Sequence, residues 1–217
     1  MVDYKIVKTA RRSVCILIKD GEVIVRAPHL TPKFIIEKLV REKSSWIEKH
    51  QKKKNFERDY TRDEQFLVLG KPHLLKIIVS EQEGVILDGA NIRVNAISEK
   101  KDDIKRKVKK YFLTLTKNTV EKYLKKYKAQ FRGPEKQAIF KFYKSKWGSC
   151  SAKNDLSFNV KLSMMPEKVI EYIVVHELVH TKHKNHSKNY WAEVGRFDLD
   201  YKSHRKWVRD NSDKMVL

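Results

Sequence analysis

The chain has 217 residues, of which 41% are hydrophobic and 10% aromatic, a composition that suits one domain or two small ones and excludes a disordered protein. Its formal net charge is +21, but only 12 of the 48 basic residues are arginine and the lysines occur in almost every segment, which favours a lysine-rich surface over a dedicated nucleic-acid reader. The first residues lack the apolar segment of a signal peptide and no apolar run reaches membrane-spanning length, so we expect a cytoplasmic protein with no membrane contact.

The first fifty residues predict a β-hairpin followed by a helix. Two β-rich runs, 13–18 and 22–27, flank Asp20-Gly21, a dipeptide typical of tight hairpin turns. Thr31-Pro32 suits the start of a helix, because the missing N–H of proline costs nothing in the first turn. Apolar residues at helical spacing then predict one amphipathic helix over residues 32–53.

Two more hairpins are expected before residue 100. Their four short strands comprise residues 66–69, 73–79, 85–87 and 92–94. Turn formers, Gly70-Lys71-Pro72 and Asp88-Gly89-Ala90-Asn91, separate the two members of each pair. The strands predict an antiparallel sheet within an N-terminal β-rich region, residues 1–100, which is followed by a second domain, residues 101–217.

A long helix and another hairpin are expected at the start of that second domain. Apolar residues recur every three or four positions over residues 102–128, and Arg132-Gly133-Pro134 suits the end of this helix. Residues 138–144 and 156–162 alternate like paired strands around turn formers at 151–155. An edge of this hairpin could bind an extended peptide, main chain to main chain.

The strongest chemical motif lies in residues 171–191, EYIVVHELVHTKHKNHSKNYW. Within it, His176, Glu177 and His180 form HExxH. On a helix, two histidines four residues apart stand on one face, one turn apart, where both imidazoles can reach a single cation. Glu177 lies beside them, where its carboxylate can act as general base for an activated water without being a ligand.

The residues around this motif predict a buried helix. Pro166 and Glu167 suit its first turn, and nearly every position over residues 169–179 is apolar. A helix that is apolar all round belongs in a core. Histidines and a glutamate buried there without partners would cost several kcal/mol, and a metal ion would supply the partner.

The third metal ligand is either His183 or His186. If the helix simply continued, His183 would share the face of His176, but the two would be about 10.5 Å apart along the axis, too far for one metal. His186 can ligate only if the helix ends first, and Ser187 suits the cap of a new helix. We assign His186, and place His183 beside the ligands or facing solvent. Three histidines and one open position predict one catalytic zinc per chain.

Further residues are candidates for contacts with the metal ligands or the substrate. For Trp147 we favour packing against the metal helix over stacking on a substrate. Ser149 follows Gly148, and the pair indicates either a bulge where a ligand approaches the backbone or a simple bend. Tyr190 and Tyr201 are candidates for stabilising an oxyanion, and we favour the alternative of a buried phenol with an ordinary hydrogen-bond partner.

Together these motifs resemble those of the YgjP-like metallopeptidases, which are related to the Wss1-like and SprT-like zincins. The resemblance rests on KWGSCS at 146–151, HELVH at 176–180, Asn185-His186-Ser187 and Tyr190-Trp191. It extends over almost the whole chain, because the N-terminal part also matches, through VRAP at 25–28 and Trp46-Ile47. It implies zinc bound by His176, His180 and His186, with Glu177 as catalytic base. Arginine is common in the family where Lys146 stands, a departure that affects no zinc ligand.

We therefore predict a zinc metallopeptidase of the α+β class. An N-terminal antiparallel β region with one helix precedes a C-terminal zincin-like helical domain with a β-hairpin before the metal helix. A peptide or protein substrate follows from the resemblance, whereas the spacing alone indicates only metal-activated water. One alternative is a nucleic-acid-associated protein whose basic surface binds DNA and whose zinc site acts on DNA-linked proteins or has decayed. Another is an interaction protein with a structural zinc.

Overall fold

The computed structural model describes residues 2–19, 21–51, 58–127, 129–131 and 138–217. Sheets occupy the first part of the chain and helices most of the rest, which confirms the predicted α+β class. The chain divides into two compact units, residues 1–57 and 58–217. Within the described ranges, no helix combines the length and the apolar character needed to cross a membrane.

The first unit is a small three-stranded sheet followed by two helices. Its strands are β1 (Lys5–Thr9), β2 (Cys15–Lys19) and β3 (Glu22–Pro28), in the order β1-β3-β2. The predicted hairpin is present as the antiparallel pair β2–β3, and its turn residue Asp20 lies outside the described residues. The helices are α1 (Lys33–Glu42) and α2 (Ser44–Gln51), and Ile36, Val40 and Ile47 pack with apolar residues of β3.

The single helix predicted over residues 32–53 is therefore wrong: there are two helices, and residues 52 and 53 lie outside the described part of the chain. The break is at Lys43, whose φ of −102° and ψ of 8° leave the helical region. Two serines follow, Ser44 and Ser45, residues that compete with helical hydrogen bonds and so favour helix ends over helix interiors. Pro32 is the N-cap of α1, and its side chain makes no capping hydrogen bond.

The second unit begins with a four-stranded sheet. Its strands are β4 (Gln65–Val68), β5 (Lys71–Val79), β6 (Gly84–Asp88) and β7 (Asn91–Ala96), in the order β4-β5-β7-β6. The two predicted hairpins are present as the antiparallel pairs β4–β5 and β6–β7. However, β7 inserts beside β5 and runs parallel to it, as β1 does beside β3. The N-terminal β region is thus two mixed sheets instead of one antiparallel sheet.

A long helix, α3 (Lys101–Tyr127), shares one core with this sheet and with the helices that follow. For example, Phe112 on α3 lies 6.2 Å from Phe66 on β4, measured between ring centroids. Because α3 covers the sheet, the compact units divide at residue 57 and not near residue 100. The predicted helix stop, Arg132-Gly133-Pro134, lies outside the described residues.

A second small sheet precedes the metal-motif helix. It contains β8 (Ile139–Lys141), β9 (Gly148–Cys150) and β10 (Leu156–Asn159), in the order β8-β10-β9. The hairpin is β9–β10, whereas the predicted partner, β8, runs parallel to β10 on its other side. Residues 160–162 are not strand either: Val160–Met164 forms a 3₁₀ turn, capped by the Asn159 side chain, which accepts a hydrogen bond from the Lys161 amide.

Three helices complete the unit: α4 (Glu167–Val179), α5 (Lys188–Phe197) and α6 (Tyr201–Asn211). The β4–β5 turn fixes the start of α4. The amide of Leu69 donates to the Ser163 carbonyl at 2.7 Å, and that of Gly70 donates to Met164 at 3.1 Å. Gly70 has a φ of +82°, and a Cβ there would lie 2.7 Å from Cγ of Pro166, so only glycine fits this approach.

Candidate metal centre

Helix α4 presents the HExxH motif from inside the core. Its apolar residues from Val169 to Val179 are buried, as expected for a helix without a wet face. His176 lies in the last turn and His180 is the C-cap, so their side chains follow one another on one face, one turn apart. The rigid core therefore fixes two imidazoles at the point where the helix ends.

The chain turns immediately after His180 and brings His186 back to the same place. The amide of His183 still bonds the carbonyl of Val179 at 2.9 Å, but no regular helix continues. Helix α5 then begins at a cap, because the Ser187 hydroxyl accepts a hydrogen bond from the amide of Tyr190. The predicted helix end and the predicted Ser187 cap are both present, and the end comes at His180.

The three imidazoles converge through their Nε2 atoms. Nε2 of His186 lies 3.2 Å from Nε2 of His176 and 3.2 Å from Nε2 of His180. One ligating atom from each of the three lies within 4.8 Å of the others. Zn–N bonds of about 2.0–2.1 Å at a tetrahedral angle place two nitrogens about 3.3 Å apart, so these residues fit a zinc ion.

Hydrogen bonding sets the tautomer of His180 for metal binding. Its Nδ1 lies 2.9 Å from the backbone carbonyl of His183. A carbonyl can only accept, so Nδ1 carries the proton and Nε2 presents its lone pair to the cluster. His183 thus contributes its main chain, and its imidazole is not one of the three that converge. Nδ1 of His176 is buried and has no hydrogen-bond partner among the described residues.

Burial and neighbouring charges lower the pKa of His176 and His186. Burial first, then the neighbouring His180, His186 and Arg205, lower the pKa of His176 to about 3. Burial, His180 and Arg205 also lower the pKa of His186. Neutral imidazole is the form that binds metal, so at neutral pH these two rings need lose no proton before binding.

Glu177 lies beside the cluster with a free carboxylate. It is 6% exposed, and no described residue hydrogen-bonds its side chain. Burial raises the pKa of Glu177 to about 8, although Lys146 acts in the opposite direction. The side chain lines a cavity of about 250 Å³ together with His176, Trp147 and Tyr172. A carboxyl group with no partner among the described residues is available to a molecule that enters this cavity.

Strand β9 lies against this carboxylate. A Cβ at Gly148 would lie 2.6 Å from Cγ and 2.7 Å from Oε1 of Glu177. Ser149, the next residue, faces the other side of the strand, where its hydroxyl contacts Ser157 at 2.8 Å and Lys146 at 3.0 Å. Trp147 is partly buried, packs on the core and lines the cavity, so its placement is compatible with packing and with substrate contact.

An aromatic wall supports the histidines from α5. The ring of Tyr190 is fully buried, and its centroid lies 5.3, 4.6 and 4.7 Å from those of His176, His180 and His186. Its hydroxyl donates to the His176 carbonyl at 3.0 Å, which is an ordinary partner. Trp191 stacks on His186 at 5.5 Å and on Tyr201 at 5.5 Å. Tyr201 is therefore linked to His186 indirectly, because Trp191 stacks on both rings.

Two cations beside the centre, Lys184 and Arg205, were not predicted from the sequence. The ammonium of Lys184 donates to the Ser151 carbonyl at 3.0 Å and contacts Sγ of Cys150 at 3.7 Å, which ties the segment carrying His186 to the β9–β10 turn. Arg205, on α6, lines the cavity. Neither belongs to a local motif, and in a chain with 48 basic residues no pattern separates them from the rest.

Cys150 is not set up as a nucleophile. Burial raises the pKa of its thiol, and the nearby Glu177 acts in the same direction, while Lys184 opposes both. A thiol kept protonated is a weak nucleophile. The histidine cluster and Glu177 are therefore the stronger candidates for chemistry at this site.

Comparison with known proteins identifies a family for this site. A family model described as YgjP-like, metallopeptidase domain, matches residues 12–211, nearly the whole chain. The matched range contains every residue of the candidate centre. Comparisons with curated proteins and with solved structures find no match.

Proposed function

The chain belongs to the YgjP-like metallopeptidase family, and from that membership we propose that it is a zinc-dependent peptidase. The metal would be held by His176, His180 and His186, and Glu177 would be the general base. The convergence of three Nε2 atoms, two pairs of them at 3.2 Å, is the observation that carries the proposal. Three imidazole ligands favour zinc among the common divalent cations, and leave a fourth position for water or substrate.

Zinc bound there supplies a Lewis acid that lowers the pKa of water and polarises a carbonyl oxygen. The protein supplies the proton transfer. Glu177, with no partner among the described residues, can accept a proton from the attacking water at its carboxylate and then give it to the leaving amine nitrogen. The contact with Gly148 limits where this carboxylate can move, so the base stays beside the cavity.

Strand β9 offers a place for the peptide. Two main-chain hydrogen bonds join the ends of β9 to the β10 side. The amide of Ser151 donates to the carbonyl of Asp155, and the carbonyl of Trp147 accepts from the amide of Asn159. Because hydrogen-bonding direction alternates along a strand, the amide and carbonyl groups of Gly148 and Cys150 point to the other side. Among the described residues no strand pairs there. An extended peptide bound along this edge would run past Glu177.

The test is a comparison of wild-type protein with Glu177→Gln. Metal content is measured per chain, and both proteins are incubated with an unbiased peptide library whose products are identified by mass spectrometry. We expect one zinc per chain in both proteins and cleavage by the wild type only. Glu167→Gln, an exposed acid on the same helix, is the control and should cleave normally. Zinc-loaded wild type that cleaves no peptide would contradict the proposal.

A nucleic-acid-associated role is the second candidate, and the net charge of +21 is the observation that favours it. In this case the basic surface would bring the same site to proteins on DNA. Binding to DNA is measured from low to physiological salt. Affinity retained at physiological salt would support the role, whereas complete loss would reduce it to nonspecific attraction.

A further inference from the structure

Arg205 carries a positive charge beside the candidate centre and forms no ion pair with any described carboxylate. Its guanidinium carbon lies 4.7 Å from the ring centroid of Trp191, so the side chain is held by stacking. In the part of the chain that the structure describes, no carboxylate pairs with it. Other arginines nearby are paired: Arg209 with Asp210, and Arg196 with Glu193, both at 2.9 to 3.0 Å.

The cavity that Arg205 lines is the one that contains Glu177 and His176. Its remaining walls are mostly aromatic or aliphatic and include Tyr172, Ile173 and Val208. A volume of about 250 Å³ has room for roughly one amino-acid side chain. The cavity therefore has largely apolar walls, the carboxyl group of Glu177 and a single cation, Arg205. The planar guanidinium of Arg205 can pair with a carboxylate through two hydrogen bonds.

We propose that Arg205 binds a carboxylate of the peptide substrate, and so selects peptides that carry one beside the bond to be cleaved. This inference rests on the proposed peptidase function and names its substrate class. The carboxylate is either the C-terminus of the peptide or the side chain of an aspartate or glutamate. Both would form a bidentate, charge-assisted pair with the guanidinium.

The apolar walls favour a carboxylate on a peptide over a phosphate of nucleic acid. Arg205 also lines a second cavity with Lys188 and Lys202, but in the cavity that contains Glu177 it is the one described lysine or arginine in the lining. Binding of a polyanion relies on several cations along a groove. A residue with an apolar side chain and a free C-terminus would fill the chamber and place its carboxylate at Arg205. The expected specificity is then that of a carboxypeptidase, with an acidic side chain as the alternative source.

Binding of small ligands tests the inference without catalysis. N-acetyl-leucine, N-acetyl-leucinamide and N-acetyl-glutamic acid α-amide, whose one carboxylate is on the side chain, are titrated into the protein, and binding is followed by NMR. We expect the free acid to bind about 10- to 100-fold more tightly than the amide. The titration is repeated after chelation of metal, because a preference produced by Arg205 must survive metal removal.

Two variants assign the preference to this residue. Arg205→Gln should bind acid and amide equally, and Arg205→Lys, which keeps the charge but not the fork, should fall between it and the wild type. Arg209→Gln, which removes one arginine from the same helix, should bind like the wild type. No preference in the wild type, or a preference that survives Arg205→Gln, would overturn the inference. Preference for the glutamate derivative over N-acetyl-leucine would assign the carboxylate to an acidic side chain.

Cleavage then separates this inference from the proposed function. Peptides are compared as free acids and as C-terminal amides. Arg205→Gln should lower kcat/KM for the acids about 10- to 100-fold and leave the amides unchanged. If the wild type cleaves nothing but the ligand preference is present and depends on Arg205, the peptidase proposal fails while carboxylate binding stands. If the wild type cleaves peptides with and without a carboxylate beside the bond equally, whether that carboxylate is C-terminal or on a side chain, the selectivity fails while the peptidase stands.

Discussion

Gly148 and Glu177 are in direct contact: no side chain fits between the backbone of β9 and the proposed base. A Cβ at position 148 would approach Cγ, Oε1 and Cδ of Glu177 to between 2.6 and 2.9 Å. The Glu177 side chain therefore packs directly against the backbone of β9. The same strand presents main-chain groups on the edge that no described strand pairs with. One short segment would therefore both position the proposed base and offer an edge for the proposed peptide.

Gly148→Ala should displace the Glu177 carboxylate without disturbing the metal ligands. Because a base misplaced by about 1 Å can cost about 100-fold in rate, we expect kcat to fall by that order while zinc content stays at the wild-type value. Steady-state kinetics and metal analysis check this. Gly84→Ala is the control, since nothing lies within 4 Å of a Cβ there. Wild-type kcat in Gly148→Ala would show that the contact does not fix the base.

Cys150→Pro should weaken peptide binding along β9. It removes an amide N–H on the edge away from β10, and one main-chain hydrogen bond is worth about 1 kcal/mol, so kcat/KM should fall by about fivefold with zinc retained. Cys150→Ala removes the thiol but keeps the amide, and should cleave like the wild type. Equal turnover by the two variants would exclude this edge as the peptide site.

His186→Ala and His183→Ala should separate the two histidines that the motif alone leaves open. Loss of one of three ligands should lower zinc affinity by at least about 100-fold, measured by competition with a chelator. His183→Ala keeps the carbonyl that accepts from His180, so its affinity should equal that of the wild type. The opposite ranking would exchange the roles of the two residues.

Local rules were sufficient to predict the core of this centre. Helical spacing places His176 and His180 on one face, and the capping preference of Ser187 brings His186 back beside them. Contacts between distant segments were not predictable in this way. The parallel pairs β1–β3, β5–β7 and β8–β10 join strands that do not form simple hairpins, and no local pattern specifies such pairs. Arg205 lines the cavity because of how α6 packs, and no pattern in its sequence neighbours indicates this position.

Tyr190→Phe should distinguish a supporting phenol from an oxyanion donor. The hydroxyl bonds the His176 carbonyl, so its loss should destabilise the protein by about 1 kcal/mol and lower Tm by about 2–4 °C. Catalysis should remain within a few-fold of the wild type. Tyr201→Phe, whose hydroxyl has no partner among the described residues, should leave Tm unchanged. A fall in kcat of about 100-fold or more in Tyr190→Phe, with Tm intact, would make it the oxyanion donor.

Glu171 links α4 to α3 behind the centre. Its carboxylate, with 9% of the side chain exposed, accepts hydrogen bonds from Lys126 at 2.6 Å, Tyr127 at 2.7 Å and Lys168 at 3.3 Å. Burial alone would raise the pKa of this carboxyl, but these three donors outweigh burial and hold the pKa below its usual value. The helix that carries the metal motif is therefore attached to its neighbour by an ionised carboxylate.

Glu171→Gln should lower the free energy of unfolding by about 2 kcal/mol at pH 7, because charge-assisted hydrogen bonds become neutral ones. The pKa of Glu171 is lower in the folded state than in the unfolded state. The wild type therefore has this extra stability at pH values above the usual glutamate pKa, and loses it as the pH falls through the folded-state pKa. The difference between the two proteins should therefore shrink in acid. Urea unfolding followed by tryptophan fluorescence measures it, since three of the four tryptophans lie in residues 58–217.

Glu167→Gln, which removes an exposed pair with Lys122, should change stability by less than about 1 kcal/mol at any pH. A difference that is constant with pH would mean that Glu171 contributes through packing and not through its charge.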